Sequence, residues 1–299
     1  MQLQVFLPWL HPTGPPAGNP LEGLFSALLN PWEVCMQRIR TPLLAALALA
    51  GTLVATNAMA QSLVALSGGD TLTLINPKDW KATSSVKMKG AKLLGIDVRP
   101  ADNMLYGVTD KGWIVTVDPK TGAVTQKAEL STKPAAGVVL TVDFNPVADR
   151  LRIIGSDGMN LRVNVDDGKA TVDGNLKFAD SDMHKGEKPN IVAAAYINSV
   201  KGAKETALYD IDATIGALFK QAPPNDGVLT AVGKLGFKVS GPVAFNIVAD
   251  GEGKNTAWLV NGGTLYTVDL ASGMAKAVGK IPGGAITDIA WWNPAEKTM

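Results

Sequence analysis

The sequence predicts an all-β protein, and more specifically a β-propeller of five blades with four strands each. Three observations predict this fold class. Beyond residue 60 the chain consists of short alternating or apolar runs separated by Gly, Asp, Asn and Pro, which is typical of strands and turns. One pattern of such runs recurs along the chain. The two ends of this segment also carry complementary parts of that pattern.

Each copy of the repeat begins with an apolar strand, as in "LLGIDVRP", "LTVDFNP" and "VAFNIVAD". A hairpin follows, as in "LYGVTDKGWIVTVD" or "AWLVNGGTLYTVD", and a turn then leads to a last strand such as "AVTQKAEL". Four hairpins end at equivalent residues, namely Asn76, Asp118, Asn164 and Asp269. Residues 191–235 form a fifth unit that matches least well, with "ALFKQ" as its expected third strand. Four strands repeating at roughly 40–50 residues are the signature of propeller blades.

The two ends of the repeat region predict how the ring closes. The first unit begins directly with a hairpin, "LVALSGGDTLTLIN", and lacks an opening strand. The last segment, "ITDIAWW", is an opening strand without a hairpin. Pairing of these two strands, which would be the N- and C-terminal strands of the mature protein once residues 1–60 are removed, would complete one blade and remove an exposed sheet edge. An open β-sandwich is the alternative, and it does not account for the complementary ends.

Residues 36–60 have the three parts of a secretory signal peptide. Arg38 and Arg40 precede an apolar run at 43–55, and an Ala-Met-Ala triplet follows as a cleavage motif. The apolar run is shorter than the roughly 20 residues of a membrane-spanning helix. We therefore expect export to the periplasm or the extracellular space, with no membrane span after cleavage.

Residues 1–35 are rich in proline and directly precede Met36. We interpret them as an over-extended start or a disordered extension, with translation beginning at Met36. The alternative is that they are translated and the apolar run stays as a signal anchor. Cleavage would leave a single propeller domain, residues 61–299, that begins at Gln61.

Composition excludes several classes of function. The chain has 28 Lys and Arg against 27 Asp and Glu, a balance that predicts neither nucleic acid nor an anionic membrane as partner. Its single cysteine, Cys35, precedes the expected cleavage position, and His184 would be the only histidine left. A zinc site of several His and Cys ligands therefore cannot be built within the exported chain. That part also contains no P-loop, dinucleotide fingerprint or nucleophile elbow.

The hairpin "RLRIIGSDGMNLRVN" carries three arginines on one face. A three-residue loop ending at Gly158 would place Arg152 opposite Arg162, with Arg150 on the same face and the other face apolar. Like charges paired across strands repel, so a carboxylate is expected among them, and Asp143 is in reach in one of two registers. The set is either a structural Arg–carboxylate ladder between blades or a site for a small anionic ligand.

Asp97, Asp143 and Asp288 occupy matching positions in three opening strands, which would line the axis of a propeller. Such carboxylates could hold a hard cation such as calcium, and no other cofactor is indicated by the residue types. The alternative is that they cap neighbouring strands. Trp291 and Trp292 are candidates for a carbohydrate contact, because adjacent strand residues face opposite ways and one ring is then free to face solvent.

Three segments, "GIDVRPADNMLYGVT", "VDFNPVADRLRIIGSDGMNLRVN" and "PNDGVLTAVGKLG", resemble a bacterial exported family known as domain of unknown function 4394. The similarity extends over roughly residues 62–292. It implies a propeller-like repeat and export, and it implies no particular activity or catalytic residues. We hypothesise a non-catalytic module that binds a ligand or another protein, with a calcium-dependent hydrolase or lyase at the channel as the alternative.

Overall fold

The computed structural model describes residues 61–294, so the interpretations of residues 1–35 and 36–60 lie outside the described residues. This part of the chain forms five β-sheets and one 3-10 turn, Pro224–Asp226. None of its helices is long and apolar enough to cross a membrane.

The strands are numbered in chain order. The first eleven are β1 (Ser62–Ser67), β2 (Thr71–Asn76), β3 (Lys81–Lys87), β4 (Leu93–Val98), β5 (Leu105–Thr109), β6 (Trp113–Val117), β7 (Val124–Glu129), β8 (Leu140–Asn145), β9 (Arg150–Gly155), β10 (Asn160–Val163) and β11 (Ala170–Val172). The next ten are β12 (Lys177–Phe178), β13 (Ile191–Tyr196), β14 (Leu208–Asp212), β15 (Ala217–Gln221), β16 (Val228–Lys234), β17 (Val243–Ala249), β18 (Asn255–Asn261), β19 (Thr264–Val268), β20 (Ala275–Lys280) and β21 (Ile286–Trp292).

The five sheets are the blades of a closed ring, which confirms the predicted five-bladed propeller. Blade 1 is β4–β7, blade 2 is β8–β11, blade 3 is β13–β16, blade 4 is β17–β20, and blade 5 is β21 with β1–β3. The innermost strands are β4, β8, β13, β17 and β21. Each contacts the next, and β21 contacts β4.

Blade 5 contains both ends of the repeat region, as the sequence predicted. Strand β21 pairs antiparallel with β1, from Trp292 opposite Ser62 to Ile286 opposite Ser67. Ile286 and Ile289 are buried in the core of this blade. The closing strand therefore removes the free edge of β1 and contributes apolar packing.

Blade 3 is the least regular blade. The segment "IVAAAYINS", whose residue pattern is also compatible with a short helix, contains strand β13, and "ALFKQ" forms β15. A short apolar run cannot be assigned to helix or strand by periodicity alone, because both of its faces are buried. The two-residue strand β12 adds to this sheet by pairing parallel with β16.

The apolar core lies between adjacent blades. Between blades 1 and 2, for example, Tyr106 and Val108 pack with Phe144 and Leu151. The rings of Tyr106 and Phe144 meet edge to face, with their centroids 5.3 Å apart. The inner and middle strands are therefore buried on both faces, whereas the outermost strands β3 and β7 are largely exposed.

One turn recurs after the third strand of four blades. The backbone N–H of its fifth residue donates to the carbonyl oxygen of its first at 2.7–2.9 Å. The fifth residue has a positive φ and is Gly122, Gly168 or Gly273 in three blades, where glycine avoids a steric cost. A Cβ at Gly168 would collide with the carbonyl oxygen of Glu129 in the neighbouring blade. In blade 5 the same position is Trp80, with φ 58°.

Candidate functional site at the propeller axis

Three buried aspartates lie at the axis, each on a different innermost strand. Asp97, Asp143 and Asp288 are at most 5% exposed. Each accepts a hydrogen bond from a backbone N–H of the next innermost strand: Ile96 N–H donates to Asp288 at 2.8 Å, Phe144 N–H to Asp97 at 2.7 Å, and Tyr196 N–H to Asp143 at 2.8 Å. These carboxyl groups therefore connect successive blades around the axis, which is the strand-capping alternative that the sequence left open.

Asn246 on β17 completes the polar cluster at the axis. Its Nδ2 atom donates to Asp97 Oδ1 and to Asp143 Oδ2, both at 3.2 Å. Sequence reasoning missed this residue, although "VAFNIVAD" and "LTVDFNP" place it at the position of Asp143. The amide at this matching position is the signal in the sequence that points to Asn246.

Burial raises the pKa of the Asp97 carboxyl to about 7, because the charged form loses its hydration. Burial also raises the pKa of Asp143 and of Asp288 well above the usual range, and repulsion from Asp97 adds to both shifts. Hydrogen bonds from backbone N–H groups oppose these shifts and are smaller in effect. The axial cluster therefore retains protons at pH values where exposed aspartates are ionised.

We expect the free energy of unfolding to be larger at pH 5 than at pH 8. The axial carboxyl groups bind protons more tightly in the folded chain, so stability falls as pH rises from about 4, the unfolded pKa, through about 7 for Asp97. Each such group contributes up to about 1.4 kcal/mol per pH unit within its window. Urea unfolding at pH 5, 6.5 and 8 measures this slope, and Asp97→Asn should reduce it. A free energy of unfolding that rises over this range would contradict the assignment.

A cavity of about 620 Å³ opens over Asp97 and Asn246. The segments that follow the innermost strands of blades 1, 3, 4 and 5 form its walls, and Trp291 on β21 borders it. Its volume is within the roughly 300–1,000 Å³ of small-molecule sites. Charged residues at its rim are Asp102, Asp250 and Lys201.

Three tryptophans form a column between blades 4 and 5 that ends at this cavity. The ring centroids of Trp291 and Trp258 are 5.7 Å apart, and those of Trp258 and Trp80 are 5.0 Å apart. Nε1 of Trp291 and of Trp258 is buried and has no hydrogen-bond partner among the described residues. Trp292 packs in a different cluster, with the Lys120 ammonium 5.6 Å from its ring. The two neighbouring tryptophans thus face different environments.

The predicted register of the arginine hairpin is confirmed. Arg152 pairs with Arg162 across β9 and β10, and Gly158 has the expected positive φ of 101°. Arg152 is 2% exposed, and its guanidinium is enclosed by protein acceptors. It donates to Tyr196 Oη at 3.1 Å, Asn160 Oδ1 at 2.7 Å, Asp173 Oδ2 at 2.6 Å and Asn225 Oδ1 at 2.8 Å.

Asp173 is the carboxylate between the two arginines. It also accepts from Arg162 Nε at 2.7 Å and from Arg162 Nη2 at 2.9 Å. Asp143 is the pairing partner of Arg152 in the sheet, but its hydrogen bonds go to the axis. Arg150 is exposed and donates to the carbonyl oxygen of Asp149. The structure therefore joins Arg152 and Arg162 through a residue that sequence reasoning missed, and the anion-site hypothesis stays a prediction.

A second buried carboxyl group lies close enough to Arg152 for charge interaction. Asp210 on β14 is fully buried, and neither of its oxygens has a hydrogen-bond partner among the described residues. Burial raises the pKa of Asp210, and the positive charge of Arg152 opposes that shift. Burial is the larger of the two effects, so Arg152 offsets only part of the rise in this pKa.

The calcium hypothesis concerns the same axial residues. Within residues 61–294 there is no group of three or more His, Cys, Asp or Glu side chains suited to hold a metal ion. The oxygen atoms of Asp97, Asp143 and Asp288 accept protein hydrogen bonds, as described above. Calcium binding therefore stays a prediction.

The fold and the axial cavity define a five-bladed propeller with a pocket of small-molecule size. The family model described as "Domain of unknown function (DUF4394)" matches residues 58–290, and the protein belongs to this family. The family resemblance predicted from the sequence is thus confirmed. Comparison with curated proteins gives no match.

Several crystal structures are similar to this chain. A protein of unknown function from Bacteroides caccae is 13% identical with a TM-score of 0.39, and covers 78% of this chain and 98% of its own. A structural genomics protein of unknown function from Bacteroides thetaiotaomicron is 16% identical with a TM-score of 0.47, over 80% and 69% of the two chains. The calcium-binding protein regucalcin from Agrobacterium tumefaciens is 16% identical with a TM-score of 0.44, over 76% and 72%.

Proposed function

We propose that this protein is an exported, non-catalytic propeller that binds a small molecule in the axial cavity. The observation that carries this proposal is the position of the 620 Å³ cavity, where segments from four blades meet over buried polar groups. Pockets with few, fixed polar groups at such a junction are typical ligand sites. Asp97 and Asn246 are fixed because each is bonded to other strands of the ring.

Export is the second part of the proposal. The basic head, apolar run and cleavage motif of residues 36–60 support it. Strand β1 begins at Ser62, directly after the expected cleavage position. N-terminal sequencing of the protein recovered from the cell envelope or the medium should begin at Gln61, and an intact Met1 on the exported protein would contradict cleavage.

The cavity is tested by thermal denaturation of residues 61–299 with neutral saccharides, amines and carboxylates at millimolar concentration. A ligand at ten times its Kd adds about 1.4 kcal/mol, or about 3–6 °C in Tm for a domain of this size. Ala101→Trp should abolish the shift, because Ala101 borders the cavity and the indole would fill it.

Ala148→Trp is the matched control, since Ala148 is exposed in the corresponding loop of blade 2 and does not border the cavity. Its response should equal that of the unmodified protein. A panel that shifts no Tm, or that shifts Ala101→Trp equally, would exclude the axial cavity as the binding site. Calcium and a chelator belong in the same series, and a rise in Tm with calcium would favour the metal-dependent alternative.

A further inference from the structure

We propose that the ligand of the axial cavity is a neutral saccharide, with its ring face against Trp291 and its hydroxyl groups at Asp97 and Asn246. This inference rests on the proposed function and adds the chemical class of the ligand. It is carried by the apolar wall, the conformation of the residue behind that wall, and the polar groups of the floor.

Trp291 gives the cavity an apolar wall. Its Nε1 atom is buried, so the indole presents carbon rather than an N–H group to the cavity. Trp258 packs behind it with an angle of 44° between the ring planes, and this contact restrains the orientation of Trp291. A saccharide ring has an apolar C–H face of matching size, and flat aromatic groups bury such a face with little loss of side-chain entropy.

Trp80 supports this column in a conformation that is costly for tryptophan. Its φ of 58° belongs to the left-handed region, and the equivalent residue is glycine in three other blades. A bulky residue is strained in this conformation, and such residues concentrate at functional sites. In this conformation the indole of Trp80 packs against Trp258, with their ring centroids 5.0 Å apart, and therefore lies behind the cavity wall.

The floor of the cavity presents hydrogen-bond acceptors from two side chains. Both N–H groups of the Asn246 amide are used within the axial cluster, which leaves its Oδ1 atom to accept from a ligand. The carboxyl group of Asp97 lies beside it and is held in place by the N–H groups of Phe144 and Asn246. A hydroxyl group donates to such acceptors without adding charge, so it fits this pair of groups.

The rim does not favour an ion of either sign. Asp102 is paired with Arg99 at 3.3 Å and accepts from Tyr106 Oη at 2.8 Å. Asp250 accepts two backbone N–H groups within its own turn. Lys201 supplies a positive charge at the same rim. Because these charges are mixed and partly neutralised, a ligand without net charge is the best match.

The experiment is isothermal titration calorimetry at pH 7 with cellobiose, maltose and N-acetylglucosamine, compared with spermidine and citrate. We expect at least one saccharide to bind the unmodified protein and neither ion to bind in the cavity. Trp291→Leu should weaken saccharide binding at least tenfold. Trp292→Leu is the matched control and should change it less than twofold, because Trp292 packs in a different cluster.

Trp80→Gly is the second variant. It leaves strand β21 and its pairing with β1 unchanged, because Trp80 lies in the turn between β2 and β3. Glycine is the residue of the other blades at this turn, so the variant should fold, and the loss of the supporting ring should weaken saccharide binding at least threefold. Equal affinity in Trp291→Leu, Trp80→Gly and the unmodified protein would overturn the assignment. Binding of spermidine or citrate that Ala101→Trp abolishes, without saccharide binding, would overturn the ligand class and leave the proposed function intact. Absence of binding by every probe would overturn both.

Discussion

A chain that ends at Ala285 is expected to lose its cooperative unfolding transition. Removal of β21 takes away the strand that pairs with β1 and the buried side chains of Ile286 and Ile289. Burial of such side chains contributes roughly 1.5–3 kcal/mol each, and the bond from Ile96 N–H to Asp288 is also lost. The open edge of β1 adds a tendency to aggregate. Because whole domains are stable by only about 5–15 kcal/mol, these losses together are of the same order as the stability itself, and we expect the shortened chain not to fold cooperatively.

Circular dichroism and calorimetry measure this effect. A chain that ends at Pro294 is the matched control, since it retains all of β21 and should melt like the longer protein. A sharp transition near the Tm of this control, observed for the chain that ends at Ala285, would show that the closing strand is dispensable.

Arg152→Met is expected to lower the free energy of unfolding by about 3–5 kcal/mol, the usual effect of breaking a buried ion pair. Methionine fills a similar volume but leaves Tyr196, Asn160 and Asn225 without their buried donor. Asp210 also loses the nearby positive charge that counteracts the rise in its pKa. Unsatisfied buried polar groups account for most of this loss.

Arg150→Met is the matched control for urea unfolding, because Arg150 is exposed and bonds only within its own loop. Its effect should stay within about 0.5 kcal/mol. If Arg152→Met kept its stability and lost binding of an anion such as citrate, the anion-site hypothesis would be favoured over the structural ladder.

Much of the fold could be predicted because it depends on local pattern. The alternation of apolar residues indicates which side chains share a face of each strand, and the loop ending at Gly158 sets the pairing of Arg152 with Arg162. Closure was predictable because the two ends are each incomplete alone. Blade 3 was less predictable, since strand β13 is buried on both faces and carries no alternation.

The candidate site was predicted only in part. The matching positions of Asp97, Asp143 and Asp288 indicated the axis, but their acceptor roles toward neighbouring strands depend on how blades pack. Asp173 was missed because it follows a short strand whose pairing was not specified by a turn of known type. The contact of Trp258 with Trp291 joins blades 4 and 5, so no local pattern in the sequence predicts it.

The sequence by itself determined the fold class, the number of blades, the closing pair of strands and the register of the arginine hairpin. The register follows from turn chemistry over a few residues, whereas the fold class, the number of blades and the closing pair follow from a strand pattern that repeats along the chain and is incomplete at both ends. Only the tertiary structure decided that Asp173 joins Arg152 and Arg162, that Asn246 enters the axial cluster, and that a cavity walled by Trp291 lies above it. The physical reason is that these contacts join segments that no single turn brings together, within blade 2 for Asp173 and between blades for Asn246 and Trp291, so tertiary packing sets their distance, burial and charge.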